Sequence, residues 1–136
     1  MRHLERGTSL VEALVATVVA VVAALAMVFA LVSGSTAIRS MRIERGASFV
    51  AQKQMETLLS KPTSDASLTI GDHGPQTATL PYVSGQTTWN VSWMDDALDG
   101  TGGSDSNPQD YKKLVVTISW TDVRSRSVAL NTYLYP

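Results

Sequence analysis

Glu12 has the most unusual chemical setting in this sequence. It stands directly before Ala13–Val32, a run without a single charged side chain, and it follows the apolar residues Leu10 and Val11. A carboxylate at the centre of a membrane helix costs about 2.5–3.5 kcal/mol, and less near the helix end, so an acid in this position predicts a function and a positive partner. A free amine would suit it, because a buried amine and a buried carboxylate are far less costly as a pair.

A purely structural role for Glu12 is also open. Ser9 precedes it by three residues, and this spacing fits a capping box, in which the serine caps the first turn of a helix and the glutamate reaches back to it. The capping interpretation does not account for the Arg6-Gly7 pair just before Thr8. On the residues alone, both interpretations stand.

No set of residues is arranged for catalysis, and we expect neither enzyme activity nor a cofactor. The chain has no cysteine, which excludes disulfides, thiol catalysis and thiolate metal sites. Its two histidines, His3 and His73, are far apart in the sequence, and no nucleophile-elbow, phosphate-loop or zinc-peptidase motif is present. The formal net charge of −1 predicts no nucleic-acid partner.

An acidic, glycine-rich stretch at 95–110 is the remaining candidate for ligand binding. A calcium loop that starts at Asp95 fails at its third and twelfth positions, where the sequence has Ala97 and Ser106. A looser site of oxygen ligands is one interpretation, and a solvated surface loop that faces a partner is the other. We favour the surface loop and predict no metal site.

The uncharged run Ala13–Val32 predicts a helix that crosses a membrane, since its length as a helix is about 30 Å, the thickness of a bilayer core. A buried core helix is a second interpretation, although the remainder of about a hundred residues could hardly enclose so long an apolar rod. A cleaved secretory signal, with Ala30 and Ser33 near its end, is a third. Ser33-Gly34-Ser35 breaks the run and is a predicted bend or melting point.

Beyond that point the sequence predicts an amphipathic helix packed on a small antiparallel sheet of about four strands, an α+β fold. Apolar residues recur at intervals of three and four up to Lys61-Pro62, where the helix should end. These apolar residues are Ile43, Ala47, Val50, Ala51, Met55 and Leu58. Strand patterns follow at 67–70, 77–80, 87–94, 114–120 and 128–134, with a turn between the last two at 121–126.

The N-terminal stretch Arg6–Glu12, Arg-Gly-Thr-Ser-Leu-Val-Glu, together with the apolar run after it, resembles the signature of type IV pilins and of type II secretion pseudopilins. In that family a short basic leader ends in glycine and is cut there, and a glutamate stands five residues into the mature chain. The resemblance implies cleavage between Gly7 and Thr8, a new N-terminus at Thr8 that is open to methylation, and pairing of Glu12 with the Thr8 amine of a neighbouring subunit. The family usually has phenylalanine where this chain has Thr8.

Two later segments carry a second resemblance. Lys112–Asp122 and Arg126–Leu130 resemble the last strands of V-type minor pilins, also called type IV pilus modification proteins, and Ala51–Leu59 resembles the helix end of minor pilins and pseudopilins. Together the resemblances imply four segments. They are a leader at 1–7, a transmembrane or filament-core helix half at 8–34, an amphipathic helix half at 35–62 and a sheet domain at 63–136.

The function that these resemblances imply is that of a minor pilin, a structural subunit that primes or caps a type IV pilus. The implied partners are prepilin peptidase, other major and minor pilins or pseudopilins, inner-membrane lipid and the assembly platform. The implied location is the bacterial inner membrane, with the C-terminal domain outside the cytoplasm, until the subunit enters a filament. Two alternatives stand: a minor pseudopilin of a type II secretion or DNA-uptake system, and a single-span membrane protein whose outer domain binds a ligand. The latter would not need Gly7 or Glu12.

Overall fold

A computed structural model describes the backbone of residues 4–96, 98, 100 and 109–135, and the side chains of these residues from Leu10 onward. Within them the chain forms one long α-helix, a short 3-10 helix and a four-stranded antiparallel sheet. This confirms the predicted α+β fold. The elements are α1 (Leu4–Leu59), the 3-10 helix (Ala66–Leu68), β1 (Gly71–Leu80), β2 (Val83–Met94), β3 (Tyr111–Thr121) and β4 (Ser125–Leu134).

The chain divides into two compact units, residues 1–40 and 41–136, and the second holds the hydrophobic core. The α1 residues that enter this core are those that the spacing of three and four predicted, and Val50 lies at its margin. The helix ends at Leu59, just before Lys61-Pro62, as expected. The buried residues of α1 are Ile43, Ala47, Ala51, Met55 and Leu58.

The sheet has the simplest possible order, β1-β2-β3-β4, with each strand antiparallel to the next. Successive side chains of a strand point to opposite faces, and one face of the sheet supplies the rest of the core. The other face is largely polar; Thr88 and Thr117, for example, pair across β2 and β3. The buried hydrophobic residues of the strands are Ala78, Leu80, Trp89, Val91, Leu114, Val116, Ile118 and Trp120.

The predicted bend at Ser33-Gly34-Ser35 is not found, because α1 continues through it without interruption. Two hydroxyls in this stretch donate to carbonyls of the helix itself: Ser35 Oγ to Val32 O at 2.8 Å and Thr36 Oγ1 to Ser33 O at 2.8 Å. A hydroxyl that is satisfied in this way does not take the chain out of the helix, and a single glycine costs only about 1 kcal/mol.

The predicted strand at 67–70 is also wrong, since these residues belong to the 3-10 helix and the bend after it. Asp65 is the cause. Its carboxylate accepts hydrogen bonds from the hydroxyl of Ser67 and from the Ser67 N–H, the latter at 2.8 Å, and Lys61 Nζ lies 3.5 Å away. These hydrogen bonds, chiefly the one from the Ser67 hydroxyl, lower the pKa of Asp65. A local cap of this kind competes with strand pairing for the backbone.

Trp89 of β2 links the 3-10 helix segment to the sheet through a hydrogen bond. Its indole Nε1 donates to Ser67 O at 2.8 Å, and the ring of His73 stacks on it with 5.4 Å between ring centroids. His73 Nε2 lies 2.8 Å from Thr69 O. His73 therefore has a packing role at the start of β1.

A chain shortened to begin at Ser35 should be soluble and should fold alone. Every described side chain from Leu10 to Arg39 is exposed, so this stretch contributes nothing to the core. Far-UV circular dichroism should show helix and strand with a cooperative melt. A chain that begins at Ala51 is the control, because it loses Ile43 and Ala47 and should not melt cooperatively. Aggregation of the longer chain would place the domain boundary elsewhere.

Candidate processing and assembly site

The three residues of the predicted site, Gly7, Thr8 and Glu12, all lie in the first turns of α1, which begins at Leu4. A helix cap must stand at the helix start, where backbone N–H groups lack partners. Ser9 lies inside the helix, so it cannot be the cap of the uncleaved chain, and the capping-box interpretation of Glu12 is wrong for this form.

Thr8 and Glu12 stand four residues apart in α1, which is about one helical turn. Glu12 is exposed, and its neighbours at the start of the run, Leu10 and Val11, are exposed as well, at 69% and 61%. A carboxylate with such neighbours is available to a group on another molecule.

The apolar run after Glu12 exposes its entire surface. The large side chains range from 53% exposed at Val15 to 75% at Phe29, and none is buried in the described residues of this run. The hydroxyl of Thr17, its one polar side chain, donates to the carbonyls of Ala13 and Leu14, so it needs no water. The interpretation as a buried core helix is therefore wrong. The run is long and apolar enough to cross a membrane.

The second unit also presents an apolar stripe on α1 away from the buried face. Phe49 is 67% exposed and Met41 is 59% exposed, and both line the same shallow cleft. Polar residues line the shallow cleft around them: Glu44, Arg45, Ser48 and Gln52. This stripe offers a contact for another helix.

The acidic stretch 95–110 is only partly described, and Ala97 and Ser106 lie outside the described residues. At its base, Asp110 Oδ2 accepts a hydrogen bond from the backbone N–H of Asp96 at 2.7 Å. The part of the stretch that the structure describes contains no group of three side chains that could hold a metal ion. The carboxylate of Asp110 therefore helps to close the base of the loop.

Three tyrosines form a cluster beside this base that the sequence did not reveal. The Tyr111 ring lies 5.2 Å from the Tyr133 ring, edge to face, and 5.6 Å from the Tyr135 ring. Partial burial, followed by the charge of Asp96, raises the pKa of Tyr111. Pairing of β3 with β4 brings these tyrosines together, and only the register of that pair could have indicated the cluster.

No protein-family model, curated protein or solved structure matches this chain. The family membership that the N-terminal signature and the last strands indicate therefore stays a prediction. Function has to be inferred from the residues and the geometry of the chain itself.

Proposed function

We propose that this chain is a prepilin whose mature form is a minor pilin, a structural subunit that primes or caps a type IV pilus. The order of its parts carries the proposal. Gly7 and Glu12 lie in the first turns of a helix whose apolar run is wholly exposed, and later residues of the same helix belong to the core of a four-stranded domain. The apolar run requires apolar surroundings and the four-stranded domain does not, as expected of a subunit that is held in a membrane before it enters a filament.

The chemistry of the proposal begins with a cut by prepilin peptidase after Gly7. The new α-amine of Thr8 is positively charged at neutral pH. An amine next to apolar surroundings is costly unless it is paired. Glu12 of an incoming subunit supplies the opposite charge to the Thr8 amine of the subunit before it. This pair can form at only one axial offset between two neighbouring subunits, so it fixes their alignment along the filament.

Helix-to-helix packing in the filament replaces the lipid around the apolar run. In lipid, helices associate through close van der Waals contact, which small residues permit. Alanines recur at intervals of three and four along the run, at Ala13, Ala16, Ala20, Ala23 and Ala24. The exposed stripe with Met41 and Phe49 offers a further contact to a neighbouring subunit.

Protein extracted from the membrane should lack residues 1–7, and intact-mass spectrometry tests this directly. Gly7→Val should retain the leader, because the bulky side chain stands next to the bond that is cut. Gly34→Val, a matched change at a glycine with open space around it, should be processed normally. A wild-type chain that begins at Met1, or one that is cut after Ser33, would contradict the proposal and favour a receptor or a secretory signal.

A further inference from the structure

The last row of side chains on the core-facing side of the sheet is less buried than the row before it. Cross-strand pairing aligns Trp93, Lys112 and Leu134 as the last row on the core-facing side, and all three are only partly buried. The row before it contains Val91 and Leu114, which are fully buried. The last row and three residues outside it, Thr63, Ser64 and Tyr135, line a cleft of about 200 Å³.

Lys112 brings a fixed positive charge to this cleft. Its Nζ donates to Leu68 O at 3.1 Å and to Thr63 O at 3.4 Å, and it lies 5.4 Å from the centroid of the Trp93 ring. An ammonium group has three N–H donors, so one is left after these two carbonyls. Within residues 10–96, 98, 100 and 109–135, no salt bridge between Lys112 and a carboxylate is found.

The other groups of the cleft are those that suit a sugar. The Trp93 ring has a negative face, against which the C–H groups of a pyranose ring can pack. Tyr135, which is 75% exposed, adds a second aromatic ring, and Thr63 and Ser64 add hydroxyls. Ligand sites commonly combine apolar or aromatic walls with a few polar groups that fix the orientation of the ligand. The size of the cleft suits one six-membered ring.

We propose that this cleft binds a sugar that carries a carboxylate, a hexuronate, with its ring against Trp93 and its carboxylate on Lys112 Nζ. A charge-assisted hydrogen bond is stronger than a neutral one, so the carboxylate distinguishes this ligand from a neutral hexose. The ligand comes either from a free monosaccharide or from an acidic polysaccharide, and both present the same uronate ring. The inference does not depend on the proposed assembly function.

Tryptophan fluorescence of the full-length protein in detergent provides the test, with galacturonate, galactose and oligogalacturonate as probes. Trp89 and Trp120 are buried, so the partly exposed Trp93 should give most of the change, and Trp93→Phe should abolish it. Galacturonate should bind at least about tenfold more tightly than galactose. If oligogalacturonate binds with the same affinity per ring as galacturonate, the ligand is the free sugar. If the oligomer binds more tightly, the ligand is the polysaccharide. Either result supports the binding of a hexuronate in the cleft.

Lys112→Gln should weaken galacturonate binding about tenfold, because the carboxylate loses its charged donor. Lys113→Gln removes the same charge from the next residue, on the other face of β3, and should have no effect. Since Lys112 also holds the segment after α1, Tyr135→Ala is a second variant: it should weaken binding several-fold and leave the melting temperature unchanged. Equal binding of galactose and galacturonate, equal loss from the two lysine variants, or no fluorescence change with any probe would overturn the proposal.

Discussion

Replacing Glu12 with alanine should leave the chain in the membrane and remove it from filaments. Insertion should improve slightly, because a carboxylate is taken out of an apolar setting. Incorporation should fall by at least about a hundredfold, since the Thr8 amine of the neighbouring subunit loses its counter-charge, an unpaired buried charge costs about 3–5 kcal/mol, and each 1.4 kcal/mol is a factor of ten. The measurement is the amount of the subunit in sheared filaments relative to the membrane fraction.

Glu56→Ala is the matched control for this variant. Glu56 lies on the same helix and is exposed, but it stands in the second unit, outside both the apolar run and the cleft around Met41 and Phe49. Its loss should leave both insertion and incorporation unchanged. Normal incorporation of Glu12→Ala would mean that the carboxylate has no partner in the filament, and the assembly role of Glu12 would then be wrong.

The second large effect concerns the sheet, where Gly85→Ala should strongly destabilise the domain. Gly85 is buried in β2, between Ala78 of β1 and Trp120 of β3. A Cβ added here would lie 2.8 Å from Ser119 O and 3.1 Å from Leu80 Cδ1. The first contact is with the backbone of the neighbouring strand, which cannot move without breaking the sheet. Overpacking of this kind typically costs about 1–3 kcal/mol.

Thermal melting by circular dichroism measures this cost. For a domain of this size, about 1 kcal/mol corresponds to a change of about 4–8 °C, so the melting temperature should fall by about 5–20 °C. Gly34→Ala is the control, because nothing lies within 4 Å of the added carbon and alanine favours a helix. If Gly85→Ala melts at the wild-type temperature, strands β2 and β3 must be farther apart than the structure has them.

Periodicity was sufficient to predict the main packing surfaces of the second unit. The spacing of apolar residues from Ile43 to Leu58 identified the buried side of α1, and the strand pattern at 114–120 identified β3. Both patterns persist over several repeats, and burial on one side is the physical reason for them. The segment before β1 was predicted wrongly. Its residue types indicated a strand at 67–70, but Asp65 caps a 3-10 helix there.

Contacts between distant parts of the chain could not be predicted in this way. The close approach of Gly85 to Ser119 and the cleft around Lys112 depend on the register between strands, which residue types do not specify. The site at Glu12 is hidden for another reason. Its proposed partner, the Thr8 amine, belongs to another molecule, so the geometry of a single chain cannot contain the finished site.

The sequential order of the strands has a consequence for the time at which this domain can fold. Each strand pairs with the next strand along the chain, so little entropy is lost in closing the loops, and local topologies fold quickly. The helix segment that covers the sheet precedes all four strands, and the chain has no cysteine to oxidise. The sheet is complete only once β4, the last strand along the chain, has been made. Because the chain has no cysteine, folding of this domain needs neither a thiol oxidase nor a disulfide isomerase.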